Sequence, residues 1–270
     1  MRHIPRTVIY IGIALVSLFV VCASFWYRRQ YLQSVPPKTT AVVPSVSVRS
    51  HTIVEKTKEY DVDVSYPEFL PDDMAHDANS FLASLFKKRV DDFKKESITS
   101  LKDAPKELLE RGVVAYYDVS FTEEASTTRY SSIIVASEYY AVGSAHPGHS
   151  IDTFIFDKKA RRLVAPSELF VASSSYLELL SKLSRADFDA RNTKSDADHI
   201  IIDTSSANTV FEPTKENFSR IIPLRDGLAI YFPEYQVAPY VAGPQQVVIP
   251  YSTLKDVINP DGILSDEGRR

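Results

Sequence analysis

The nineteen residues from Val8 to Trp26, VIYIGIALVSLFVVCASFW, carry no charged side chain. About 20 apolar residues in a helix cross the hydrocarbon core of a bilayer, so this run sets where everything after it can fold. Trp26 and Tyr27 fall where an interfacial aromatic belt lies. Arg2 and Arg6 precede the run, and Arg28 and Arg29 follow it. Because the basic flanks nearly balance, orientation follows from the short segment ahead and the long body behind, which favours a signal anchor with its N-terminus inside. Residues 1–29 therefore read as a transmembrane anchor. Two alternatives stay open: Val21-Cys22-Ala23 also suits signal-peptidase cleavage after Ala23, and Cys22 could carry a lipid, although Val21 is bulky for that signal. The basic flanks and terminal position disfavour a buried core helix. Anchor, cleaved signal and lipidated terminus all place the body outside the cytoplasm, on the cell membrane or in the envelope.

The chain of 270 residues has 31 basic and 35 acidic side chains, a formal charge of −4. Setting aside the four arginines around the apolar run leaves 27 basic against 35 acidic, about −8 for the remainder. Nucleic-acid binding is not expected from an acidic body, because phosphates need lysine and arginine. A cationic partner suits it better. Cys22 is the one cysteine, so the body can hold neither an internal disulfide nor a cysteine-based zinc site.

Residues 30–50, rich in Pro, Ser, Thr and Val without helical period, read as an extended tether. TKEYDVDVSYP then predicts a strand with Tyr60, Val62 and Val64 on one face, ended by Pro67. Between about Asp72 and Lys95, Leu82, Leu85, Arg89 and Phe93 fall at helical spacing, widened by Phe86 and Val90. VVAYYDVSF alternates through Val113, Ala115, Tyr117, Val119 and Phe121 as a strand. SSIIVASEYYAVG and SIDTFIFD predict two more strands around the loop SAHPGH. A second amphipathic helix carries Tyr176, Leu180 and Leu183, and DHIIIDTSS, GLAIYF and QQVVIPYSTL supply three further strands. About seven strands and two helices define an α+β fold with a mainly antiparallel sheet.

Several motifs mark the body. TKENFSRIIPLRDGLAIYFPEYQVAPYVAGPQQVVIPYSTLKDVI contains a strand, an aromatic YF, a YQVAPY turn closed by glycine, and a strand ending in IPY. Upstream, YAVGSAHPGHSIDTFIFDKKARRLVAPSELF gives a loop, strand, turn and ELF segment. Together these resemble the RsiV-like extracytoplasmic domain of unknown function, found in lysozyme-binding anti-sigma factors and in the non-catalytic region of PdaC-type peptidoglycan deacetylases. The resemblance covers residues 55 to 258, in an N-terminal part, 51–150, and a C-terminal part, 151–260, before a polar tail, 261–270. Ser144 and Pro147 depart from the small residues common in the loop. The resemblance implies a binding module for a lysozyme-like protein or a peptidoglycan-like glycan. An anti-sigma role is not expected, because about seven residues ahead of the span cannot form a sigma-binding domain.

The residues that could bind are Tyr231, Tyr235 and Tyr240 around the PEYQVAPYVAG turn, and His146 and His149 in the loop. Pro233 and Pro239 fix φ, and Gly243 can supply a backbone conformation other residues resist. Tyrosines so placed can form a platform for sugar or protein, or merely close the end of the core. Tyr235, between Glu234 and Gln236, is expected to be the more exposed, and Tyr240 the more apolar in setting. His146 and His149 lack an identifiable third metal ligand. The cluster of Asp187, Asp189, Asn192, Asp196 and Asp198 lacks the glycine and terminal glutamate of a calcium loop and reads as a solvated helix end. Phosphate loops, dinucleotide fingerprints, nucleophile elbows and the TFDDG segment of polysaccharide deacetylases are absent. No cofactor, metal or catalytic constellation is expected, which makes the expected role non-catalytic. A degenerate relative of a peptidoglycan-modifying enzyme and a scaffold of an envelope complex are the alternatives.

Overall fold

A computed structural model of the chain describes residues 46–192 and 207–265. The apolar run Val8–Trp26, nearly all of the tether, the strand expected in DHIIIDTSS, Asp196 and Asp198, and the last five residues lie outside the described residues. No helix among the described residues is long and apolar enough to cross a membrane.

The strands are β1 (Ser47–Lys56), β2 (Tyr60–Leu70), β3 (Ala115–Ser126), β4 (Tyr130–Tyr140), β5 (Gly148–Asp157), β6 (Arg162–Val164), β7 (Ile221–Pro223), β8 (Gly227–Phe232) and β9 (Gln245–Pro250). The helices are α1 (His76–Ser100), α2 (Lys106–Glu110), α3 (Tyr176–Asn192) and α4 (Ala207–Val210). The fold is α+β, but its strands divide between two sheets: a six-stranded sheet in chain order β1 to β6 and a three-stranded sheet β7-β8-β9. All pairs are antiparallel except β2 with β3. A parallel neighbour needs a long crossover, which α1 and α2 provide.

Alternation places each strand face. Val62 and Val64 of β2, Tyr117 and Val119 of β3, and Ile133 and Val135 of β4 join Leu82, Phe86 and Val90 of α1 in one core. Those three α1 residues recur every fourth position and stack on one helix face. Arg89, expected on the apolar stripe, instead reaches Asp152 of β5 with two parallel bonds, one of them 3.0 Å. The opposite face of β4 and β5 contributes Tyr130, Ile134, Ile151 and Ile155 to a second core with β7, β8, β9 and α3. Strand β8 is buried along its whole length, as befits a strand covered on both faces.

Three expectations need correction. Strand β1 begins at Ser47, and Val46 is buried, so the tether ends before position 50. Pro67 does not end β2: it pairs with Ser50, beyond the last β3 partner at Val64. A proline tolerates a strand where one side of the ladder is unpaired. Finally, the single main sheet expected from the alternation is two.

Candidate functional site

The turn from Pro233 to Gly243 separates core from surface residue by residue. Tyr231 and Phe232, at the end of β8, are buried. Tyr231 is only 2% exposed and its hydroxyl accepts a 2.7 Å bond from Gln246 Nε2, so it closes the core and presents no ring face to a ligand. That removes Tyr231 from the candidate set. Val237 and Ala238 turn inward and anchor the loop. Tyr235 lies between Pro233 and that anchor, 64% exposed, at a φ of +64°. Gly243 also has a φ of +64°, which lets the chain re-enter β9, and the side chain of Gln245 donates to the carbonyls of Ala242 and Gly243.

The β4–β5 loop meets this turn. His146 lies 4.1 Å from the Tyr240 ring, centroid to centroid, His149 lies 5.6 Å away on that ring, and Tyr235 stands 5.8 Å from Tyr240. The Tyr235 hydroxyl is 3.2 Å from His146 Nε2, while His146 Nδ1 is 2.8 Å from the Pro147 carbonyl. A carbonyl only accepts, so Nδ1 carries the proton and Nε2 accepts from the tyrosine. Gly148, at the start of β5, leaves room for the Tyr139 ring, which a Cβ there would push aside.

Beneath the rings sits a charged core that the sequence reading missed. His149 Nδ1 is 3.0 Å from the Glu234 carboxylate and Nε2 is 3.4 Å from Glu138. Both ring nitrogens donate, so the imidazolium is held by its bonds to Glu138 and Glu234, and its pKa rises to about 9 despite burial. Tyr116 donates a 2.6 Å bond to Glu138. Burial first, and the Glu138 carboxylate second, push its ionisation far above the usual phenol. Glu138 was legible: β4 and β5 are joined by a short loop, and Glu138 stands opposite His149 in the antiparallel register. Glu234 was not, since nothing in a turn sequence says which distant loop it meets.

Four of the five expected residues thus share one surface, His146, His149, Tyr235 and Tyr240, and Tyr231 lies below it. Among the described residues no group of three or more His, Cys, Asp or Glu forms a metal-binding set. Asp187 instead pairs with Arg191 one helical turn away. A cavity of about 840 Å³ lies elsewhere, lined among others by Arg129, Arg162, Phe170, Tyr176 and Asn259. Its arginines are compensated by Asp157 and Glu168.

Residues 167–252, which begin just before α3 and run past β9, match the family described as a protein of unknown function, DUF3298. The chain is 29% identical over 212 residues to the peptidoglycan-N-acetylmuramic acid deacetylase PdaC of Bacillus subtilis (strain 168), across 78% of this chain and 42% of the deacetylase. The chain therefore matches less than half of that relative's length. Crystal structures of a DUF3298 family member from Bacteroides fragilis (17% identity, TM-score 0.61, 84% of this chain and 98% of that one) and of a DUF3298 protein from Pseudomonas aeruginosa PAO1 (11%, 0.54, 81% and 96%) share the fold.

Proposed function

We propose that this chain is a membrane-anchored, extracytoplasmic binding module of the cell envelope, and that it recognises a peptidoglycan-like glycan without changing it chemically. The observation that carries the reading is the shelf of exposed Tyr235 and His146 and half-buried Tyr240 beside a carboxylate-held His149. Flat ring faces cover the apolar side of a sugar, while phenol and imidazole edges bond its hydroxyls. The named activity of the PdaC relative on peptidoglycan supports the ligand class. A non-catalytic role is supported by His149, which gives both ring nitrogens to the Glu138 and Glu234 carboxylates. The acidic body, about −8 beyond the N-terminal arginines, supports a cationic lysozyme-like protein as the competing partner.

The test uses the full-length chain in detergent, titrated calorimetrically with peptidoglycan glycan fragments and separately with lysozyme. Tyr235→Gly relieves a left-handed backbone that costs a non-glycine residue about 1 kcal/mol. Stability should therefore hold or rise while glycan affinity falls about tenfold, the worth of one aromatic contact. Tyr240→Ala should weaken binding at least as much. Equal affinity in both variants would remove the shelf as the site. Capture of lysozyme alone at micromolar concentration would establish the protein reading instead, and release of acetate or new reducing ends would make the protein an enzyme.

A further inference from the structure

Arg220 stands where the two halves of the shelf are joined. It directly precedes β7, and its carbonyl accepts a 2.9 Å bond from the Tyr231 amide in β8. Its side chain crosses to β5, where Nε donates a 2.8 Å bond to the Ile151 carbonyl. Ile151 lies two residues after His149, about 7 Å along the strand. On the other side, Gln236 Nε2 donates to the Asn217 carbonyl at 3.4 Å, which fastens the segment carrying Arg220 to the turn that holds Tyr235 and Tyr240.

The Arg220 guanidinium is only partly satisfied. Nε uses one of its five N–H groups. Those on Nη1 and Nη2 have no acceptor among the described residues, and neither atom is sealed from solvent. Arg220 is nevertheless half-buried, and Arg89, Arg129 and Arg191, half-buried like it, each meet a carboxylate. Arg220 meets none, because the two acids of the site, Glu138 and Glu234, are turned onto His149. Burying a cation even in part without a counter-charge costs stability, and the Ile151 carbonyl alone calls for a neutral donor. With Nε fixed, the guanidinium plane is held still, and the Nη pair is left as a fork for both oxygens of one carboxylate.

From this geometry we infer that Arg220 is the specificity-determining residue of the shelf, and that it takes the lactyl carboxylate of a peptide-free peptidoglycan-like glycan. This rests on the glycan reading and narrows it. Every second sugar of such a glycan bears a carboxylate on an ether arm, so a sugar seated on the Tyr240 ring brings one within reach of the guanidinium. A chain of N-acetylglucosamine presents no anion and leaves the fork empty.

The experiment compares two tetrasaccharides of alternating N-acetylglucosamine and N-acetylmuramic acid, one with free lactyl carboxylates and one with the same groups as primary amides. Each is titrated calorimetrically into the full-length chain in detergent at neutral pH, where the carboxylate is ionised. The expected result is an affinity about tenfold higher for the acid, with the preference shrinking as salt rises. Arg220→Gln removes the charge and keeps an N–H group, and should bring the preference to unity while leaving the affinity for the amide as it was. Tyr240→Ala should weaken both ligands alike and preserve the preference. If Arg220 served only to hold Ile151, Arg220→Gln would weaken both ligands together and the preference would persist, which overturns the inference. Equal binding of acid and amide by the unaltered chain also overturns it and leaves the glycan reading standing; binding of neither overturns both. A tetrasaccharide bearing stem peptides that binds as tightly as the free acid would overturn the lactyl assignment and give the fork to a peptide carboxylate.

Discussion

His149, at the start of β5, ties that strand to Glu234 of the turn after β8, 85 residues away in sequence. Its folded pKa of about 9 lies above the ordinary histidine value of 6.5, so the imidazolium contributes stability that is fully present below about pH 6.5. That contribution disappears as pH rises through about 9. Since the side chain retains partial solvent access, the loss is about 1–2 kcal/mol after allowing for screening. Thermal melts at intervals from pH 6 to 10 should show the decline, and Glu234→Gln should flatten it. A profile identical in wild type and variant would mean that the clamp does not tie β5 to the turn after β8. At the same scale Tyr235 and Tyr240 divide as their neighbours suggest: polar Glu234 and Gln236 go with the exposed ring, while Tyr240 is half-buried between the two histidines.

Strand β1 shows why an element can be invisible in sequence. SVRSHTIVEK has no clean period because most of its side chains are exposed, and an edge strand that buries little leaves little pattern. Its register with β2 nevertheless runs unbroken from Ser47 opposite Leu70 to Lys56 opposite Asp61. Val46, 1% exposed, closes the end of the α1 core. A body starting at Val43 should therefore melt as the intact fold does. One starting at Ser50 loses Val46 and three ladder residues and should be less stable by about 2 kcal/mol, roughly the burial of one valine. Urea denaturation of the two bodies measures the difference, and equal midpoints would mean that β1 begins no earlier than position 50 in its effect. The amphipathic α1, by contrast, was plain in sequence, because Leu82, Phe86 and Val90 are buried on one face. Its bounds differed, running from His76 to Ser100, and Arg89 left the stripe for Asp152.

At the scale of the whole molecule the two hydrophobic cores share strands. Ile133 and Val135 of β4 face the α1 core, while Tyr130 and Ile134 face the other, and β5 divides likewise between Phe156 and Ile155. Neither core can lose its sheet without exposing the other. A single cooperative transition is expected, with far-ultraviolet and tyrosine near-ultraviolet circular dichroism coincident; separated midpoints would show two independently unfolding halves. Much of the architecture was written locally. Alternation in β2, β3, β4 and β5 and the helical period of α1 and α3 depend on which side of each element is apolar, and that is a property of neighbouring residues. The prolines and glycine of the Pro233–Gly243 turn likewise announce a rigid connection, and the structure leaves Tyr235 in it 64% exposed. What alternation cannot say is which partner covers a face. The division into two sheets, the burial of Tyr231 behind Gln246 and the meeting of Glu234 with His149 all arise from contacts between segments far apart in the chain. Those contacts were decided only when the tertiary structure brought together segments that no local pattern pairs.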